Sequence, residues 1–153
     1  MKKRLLGGLA LLLGAAVVSS AAFAQAKPEV LVKQRKAAMT LMGKYFGPLG
    51  RMAQGKAAYN SDIIKRNVGY LEVLDKMPWD GFQASTRDVK SRALPAVFDQ
   101  PEKFKEAQQK FRAAVDKLAA ASNGVDEDAI KAAMKGVGQA CGGCHKNFRA
   151  KKK

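Results

Sequence analysis

Hydrophobic residues recur at steps of three and four in four stretches of the chain, and no stretch alternates convincingly with period two, so the pattern predicts an all-α fold. The first helix is expected to open near Pro28, because proline suits a first-turn position. It should run to about Ala53, with Ala38, Leu41, Met42, Tyr45, Phe46, Leu49 and Met52 along one side. Gly47 and Pro48 are expected to kink or thin its last turns. The second starts at Asn60 or Ser61, either a good N-cap, with Asp62 in its first turn. It carries Ile63, Ile64, Val68, Leu71 and Leu74, and Pro78 stops it. The third opens at Pro101, shows Phe104, Ala107, Phe111, Ala114, Val115, Leu118 and Ala121, and ends at Asn123-Gly124. The fourth starts around Asp126, where Asp126, Glu127 and Asp128 complement the positive end of the helix dipole.

Residues 78–100 lack sustained periodicity. A connection of that length is uncommon in a compact domain unless it packs on something or reaches across it, and Trp79, Phe82 and Phe98 are its expected anchors. The apolar stripe of the fourth helix is Ile130, Ala133, Met134, Val137, Cys141, Cys144, His145 and Phe148. The face that must be buried against the other helices is thus expected to carry both thiols and the only imidazole. Four such helices predict a four-helix bundle with a prosthetic group between helices. No internal repeat, second domain or low-complexity segment is apparent.

The chain has 153 residues, enough for one domain. Its first 24 read as a secretory signal: Met1-Lys2-Lys3-Arg4 is the positive end, Leu5 to Val18 is apolar, and Ala22-Phe23-Ala24 offers small residues at the cleavage positions. Cleavage after Ala24 leaves 25–153 as the bundle. The apolar run is about 14 residues, short of the roughly 20 that span a bilayer, so an uncleaved anchor is the lesser reading. Lys and Arg outnumber Asp and Glu by 28 to 13, and without Lys2, Lys3 and Arg4 the excess is 12. Export removes nucleic acid as a partner. What remains is steering toward proteins with acidic surfaces or anionic membranes, against the plain alternative that charge only keeps the chain dissolved.

Cys141-Gly142-Gly143-Cys144-His145 has the C-x-x-C-H spacing of covalent haem attachment. Helix positions i and i+3 share a face about 5–6 Å apart, so two sulfurs there can reach the two vinyl groups on one edge of a porphyrin, and the histidine that follows can turn a ring nitrogen to the iron. Gly142 and Gly143 permit close packing. A thioredoxin-like pair belongs near a βαβ pattern, and none is visible. Zinc needs four ligands as a rule, and Cys141, Cys144 and His145 are three. A structural disulfide remains open at this stage.

The motif lies at the end of the chain, and with four helices this resembles the cytochrome c′ family, the class II c-type cytochromes. The resemblance is carried by Arg35 to Met42, by Gly55-Lys56-Ala57-Ala58-Tyr59, by Pro78-Trp79 with Phe82, and by Cys141 to Arg149. It implies one haem c per chain, with Cys141 and Cys144 as covalent anchors and His145 as an axial ligand. It also implies that Met39 on the first helix faces the iron. Low-spin members use a methionine there as a ligand, while high-spin members leave the iron five-coordinate beneath a packed side chain, so both a ligand and a pocket wall stay open for Met39. Met134, eleven residues before His145 and about 16 Å away along the same helix, cannot take that part, so composition alone leaves Met39, Met42, Met52 and Met77 and only the resemblance singles out Met39. Arg35, one turn before Met39, is a candidate for pairing with a haem propionate, against solvated surface. Arg149 resembles the basic residue the family sets beside the proximal histidine, against membership of the Lys/Arg tail. Phe82 and Trp79 either pack near the haem or only cover the core.

Two functions follow from the two states of the sixth position. Iron held by His145 and Met39 suits one-electron transfer with redox partner proteins in the periplasm. An open site would bind small gases such as nitric oxide or carbon monoxide. A third possibility is a haem-free helical module closed by a disulfide. No enzyme-like constellation is present, and the resemblance implies a homodimer pairing through the first two helices.

Overall fold

The computed structural model describes residues 26–151. The expected signal segment and the last two lysines lie outside them. Four long helices make the fold: α1 (Pro28–Ala53), α2 (Ser61–Leu74), α3 (Pro101–Ser122) and α4 (Glu127–Phe148). They form an antiparallel four-helix bundle, and among the described residues no helix is long and apolar enough to cross a membrane.

Local chemistry explains the helix limits. Asn60, not Ser61, caps α2, its side chain accepting from Ile63 N at 2.9 Å. Asp126 Oδ1 accepts from Asp128 N at 3.0 Å and Ala129 N at 3.1 Å, so it is the cap of α4 rather than part of its first turn. Gly55, at φ +69°, closes the turn after α1 in a conformation that side-chain-bearing residues avoid. α2 ends at Leu74, four residues ahead of Pro78, which has no N–H to give the Leu74 carbonyl and whose ring would clash with it in a continued helix. Pro48 does not end α1. Its ring removes one backbone bond, but buried Leu49, Met52 and Ala53 hold the last turn in place.

The main core joins all four helices through Leu49, Ile64, Val68, Leu71, Val115, Leu118, Ile130, Met134 and Val137. Burying each such side chain contributes on the order of 1.5–3 kcal/mol. Asn67 Nδ2 donates to Tyr45 O at 2.9 Å, fixing α2 against α1.

The long connection is built of short turns, Trp79–Phe82, Ala84–Thr86 and Ala96–Asp99. It packs against α1 and forms a second cluster, in which Trp79, Phe82 and Phe98 meet Val97, Phe104 and Phe148.

Candidate functional site

The last turns of α4 carry Cys141, Cys144 and His145. Above them Ile130, Met134 and Val137 are buried, which presses this helix face into the bundle. Cys141 and Cys144 are half-buried, Cys141 against the main core and Cys144 against the Val97, Phe104 and Phe148 cluster. His145 departs from the expected buried stripe and is exposed. One residue beyond Cys144 is a rotation of about 100°, which carries its ring off the line shared by Cys144 and Phe148 and onto the flank of the helix. A Cβ at Gly142 or Gly143 would meet nothing within 4 Å among the described residues, so no protein side chain packs against either.

Both thiols are free. In an unbroken helix their Cβ atoms stand about 5–6 Å apart, more than the roughly 3.5–4.5 Å of a disulfide. Burial, and then the neighbouring Cys144, push the Cys141 thiol up to about 11, and burial raises Cys144 as well. Exchange chemistry needs a thiol shifted the other way, so these protonated sulfurs are poorly suited to a redox pair. His145 is shifted down, first by shielding of its ring and then by the charges of Arg149 and Arg92. The neutral imidazole this favours is the form that ligates a metal. Among the described residues no three His, Cys, Asp or Glu side chains are grouped to hold a bare ion. Two unpaired thiols one turn apart beside an imidazole fit a haem c held by thioethers and one axial nitrogen.

α1 faces this motif. A Cβ at Gly138 would stand 3.5 Å from the Phe46 ring, a close approach that sets the register of α1 against α4. Because the helices are antiparallel, Met39 and His145 each lie seven residues from that contact in the same direction, about 10.5 Å along the axis. They therefore stand at one level of the bundle. Met39 is half-buried and packs against the main core, as Cys141 does.

Arg35 is not solvated surface. It is buried, and Nη1 donates to Gly81 O and to Thr86 Oγ1 at 2.9 Å, while Nη2 donates to Ser91 Oγ at 2.9 Å. Three of its five N–H donors are engaged in this way, leaving two for a further acceptor. Its guanidinium carbon lies 4.5 Å from the centroid of the half-buried Phe82 ring. Phe82 meets Phe104 at 4.9 Å, and Trp79, its indole donating to Asp75 O, meets Phe82, Phe104 and Phe111 at 6.3 Å each. These rings form an aromatic wall beside the motif. Arg149 is exposed and extended just past α4, in an antiparallel bridge with Ala93.

Sequence reading missed Gly81, Thr86, Ser91 and Arg92. Gly81 alone left a signal, a glycine between the anchors Trp79 and Phe82; a Cβ there would stand 2.7 Å from Arg35 Cβ and 2.9 Å from Leu31 O.

A four-helix bundle whose terminal helix ends in C-x-x-C-H defines a class of c-type haem proteins. Residues 30–149 match the family described as Cytochrome C′. Among curated relatives, cytochrome c′ of Alcaligenes xylosoxydans xylosoxydans is 39% identical over 127 residues, covering 83% of this chain and 98% of that protein. Cytochrome c′ of Rubrivivax gelatinosus is 40% identical over 126 residues, with 82% and 98% covered. The crystal structure of the Rubrivivax gelatinosus protein superposes with a TM-score of 0.77 at 39% identity, over 81% of this chain and 98% of that one. A nitric oxide complex of a mutant cytochrome c prime from Alcaligenes xylosoxidans gives a TM-score of 0.76 at 38% identity, over 84% and 99%. A carbon monoxide-bound variant of the same protein gives 0.75 at 38%, over 82% and 98%. The chain belongs to the cytochrome c′ family, and its cofactor is the family's covalently bound haem c with its iron.

Proposed function

We propose that this protein is an exported periplasmic one-electron carrier, and not an enzyme, whose single haem is anchored by Cys141 and Cys144. His145 supplies one axial nitrogen and Met39 offers a thioether from the other side. The observation that carries this reading is the common level of Met39 and His145 in the bundle. When bound, the haem supplies a reversible iron couple whose potential a thioether raises. Around it Arg35 has two donors left for a propionate, Phe82 and Trp79 exclude water from one side, and Arg149 places a cation beside His145. A homodimer through α1 and α2 is supported by Leu41, Tyr70 and Val73, large apolar side chains exposed on those helices.

A second reading is gas binding, favoured by the nitric oxide and carbon monoxide complexes of the Alcaligenes relative. Here Met39 is a packed wall, not a ligand. The visible and EPR spectra of the exported ferric protein separate the two. The first reading expects a low-spin spectrum with a methionine-to-iron charge-transfer band, turning high spin in Met39→Ala. A wild-type spectrum that is already high spin and shifts with nitric oxide assigns the protein to gas binding, and a low-spin spectrum unchanged in Met39→Ala removes Met39 as ligand. Mass spectrometry of the same sample should find a polypeptide beginning at Gln25 with one haem added.

A further inference from the structure

The chain leaving α4 is held by a clamp that its helical pattern gives no hint of. Ala150 N donates to Arg92 O at 2.8 Å and Leu94 N donates to Phe148 O at 3.0 Å, pairing residues 148–150 with 92–94. Arg92 then closes over the pair: its Nε at 2.9 Å and Nη2 at 2.7 Å both donate to Ala150 O. Any residue could supply the backbone bonds, but two parallel donors on one carbonyl need a guanidinium; a lysine offers a single point donor. Next in sequence, Ser91 Oγ accepts from Arg35 Nη2 at 2.9 Å and from Ala93 N at 3.3 Å. One short segment is thereby tied to α1 on one side and to the strap after α4 on the other. Arg149, between the two pinned residues, has its N–H on His145 O at 3.2 Å, so the strap continues directly into the turn carrying His145.

We propose that Arg92 is a positioning residue of the iron site: by gripping Ala150 it fixes the strap, and with it Arg149 and the His145 ring, and so holds the reduction potential of the iron up. This rests on His145 being the iron's ligand. Two cations kept beside that ring oppose the extra positive charge of the oxidised state, and the half-buried setting of Arg92 leaves its field less screened than that of the exposed lysines.

The test measures the reduction potential of the holoprotein in wild type, Arg92→Gln and Arg92→Lys. Arg92→Gln is expected to shift the equilibrium toward the oxidised form by between twofold and tenfold, tenfold being about 59 mV for one electron. Arg92→Lys, with the charge but only one donor, should fall between Arg92→Gln and wild type. Because Arg92 acts through the strap, its effect should shrink in an Arg149→Gln background, a non-additivity that independent sites would lack. Unchanged potentials in both Arg92 variants overturn the proposal even if both unfold more easily, since a purely structural clamp would move stability alone. Should Arg92→Gln fail to yield folded holoprotein, Arg92→Lys decides by the same criterion. A His145→Gly holoprotein with the wild-type spectrum would instead refute the ligand assignment, a failure readable apart from anything Arg92 does.

Discussion

Asp75 holds its carboxyl at the end of α2 only 2% exposed, and its Oδ1 has no hydrogen-bond partner among the described residues. Arg112 Nε, 3.9 Å from Oδ2, is too far for a hydrogen bond and only partly compensates. Burial raises the pKa; Arg112 and Lys76 pull it down, while Asp116 and Glu72 push it up, and the net shift is upward. The folded state therefore keeps this proton after the unfolded chain has lost it. The stabilisation it gives is complete below the unfolded value of 3.8 and is lost as pH rises through the higher folded value. Urea midpoints of the holoprotein at pH 4 and pH 7 should fall more for wild type than for Asp75→Asn. Equal changes would show that the carboxyl titrates as if in water. Nothing in the sequence separates Asp75 from the other twelve acidic residues, because the α3 surface it faces, with Arg112 opposite its carboxyl, comes from a distant part of the chain.

At the scale of elements, the four helices were legible almost to the residue, since their ends are written in local chemistry: Pro28 and Pro101 in first turns, Asn60 and Asp126 as caps, Gly55 and Gly124 beyond the ends. The connection was legible only as an unpatterned stretch with aromatic anchors. Its turns are too short to show a period, and what holds them is Arg35 reaching out from α1. Gly81 is the contact point, and Gly81→Ala would drive a methyl against Arg35 Cβ and the Leu31 carbonyl. Overpacking of this kind costs about 1–3 kcal/mol, so the urea midpoint should drop with the m-value unchanged. A midpoint equal to wild type would mean that the connection lifts off α1 freely.

At the scale of the molecule, 25 basic against 13 acidic residues follow Ala24. A field of that sign raises encounter rates with acidic partners and is screened as the Debye length falls from about 30 Å at 0.01 M salt to about 8 Å at 0.15 M. Stopped-flow electron transfer to a carboxylate-rich redox protein should slow by roughly tenfold over that range. A salt-independent rate would reduce the charge to a solubility device.

The sequence by itself determined the four helices, the all-α class and the attachment motif. Helical period, caps and the i, i+3 spacing of two cysteines are local properties, fixed within a turn or two of chain. The level of Met39 with His145, the burial of Arg35 beneath the connection, the turning of His145 to the helix flank and the grip of Arg92 on Ala150 were decided only by tertiary structure. Each depends on residues dozens of positions apart being brought together, and on how the helices slide and rotate against one another as the shared core closes.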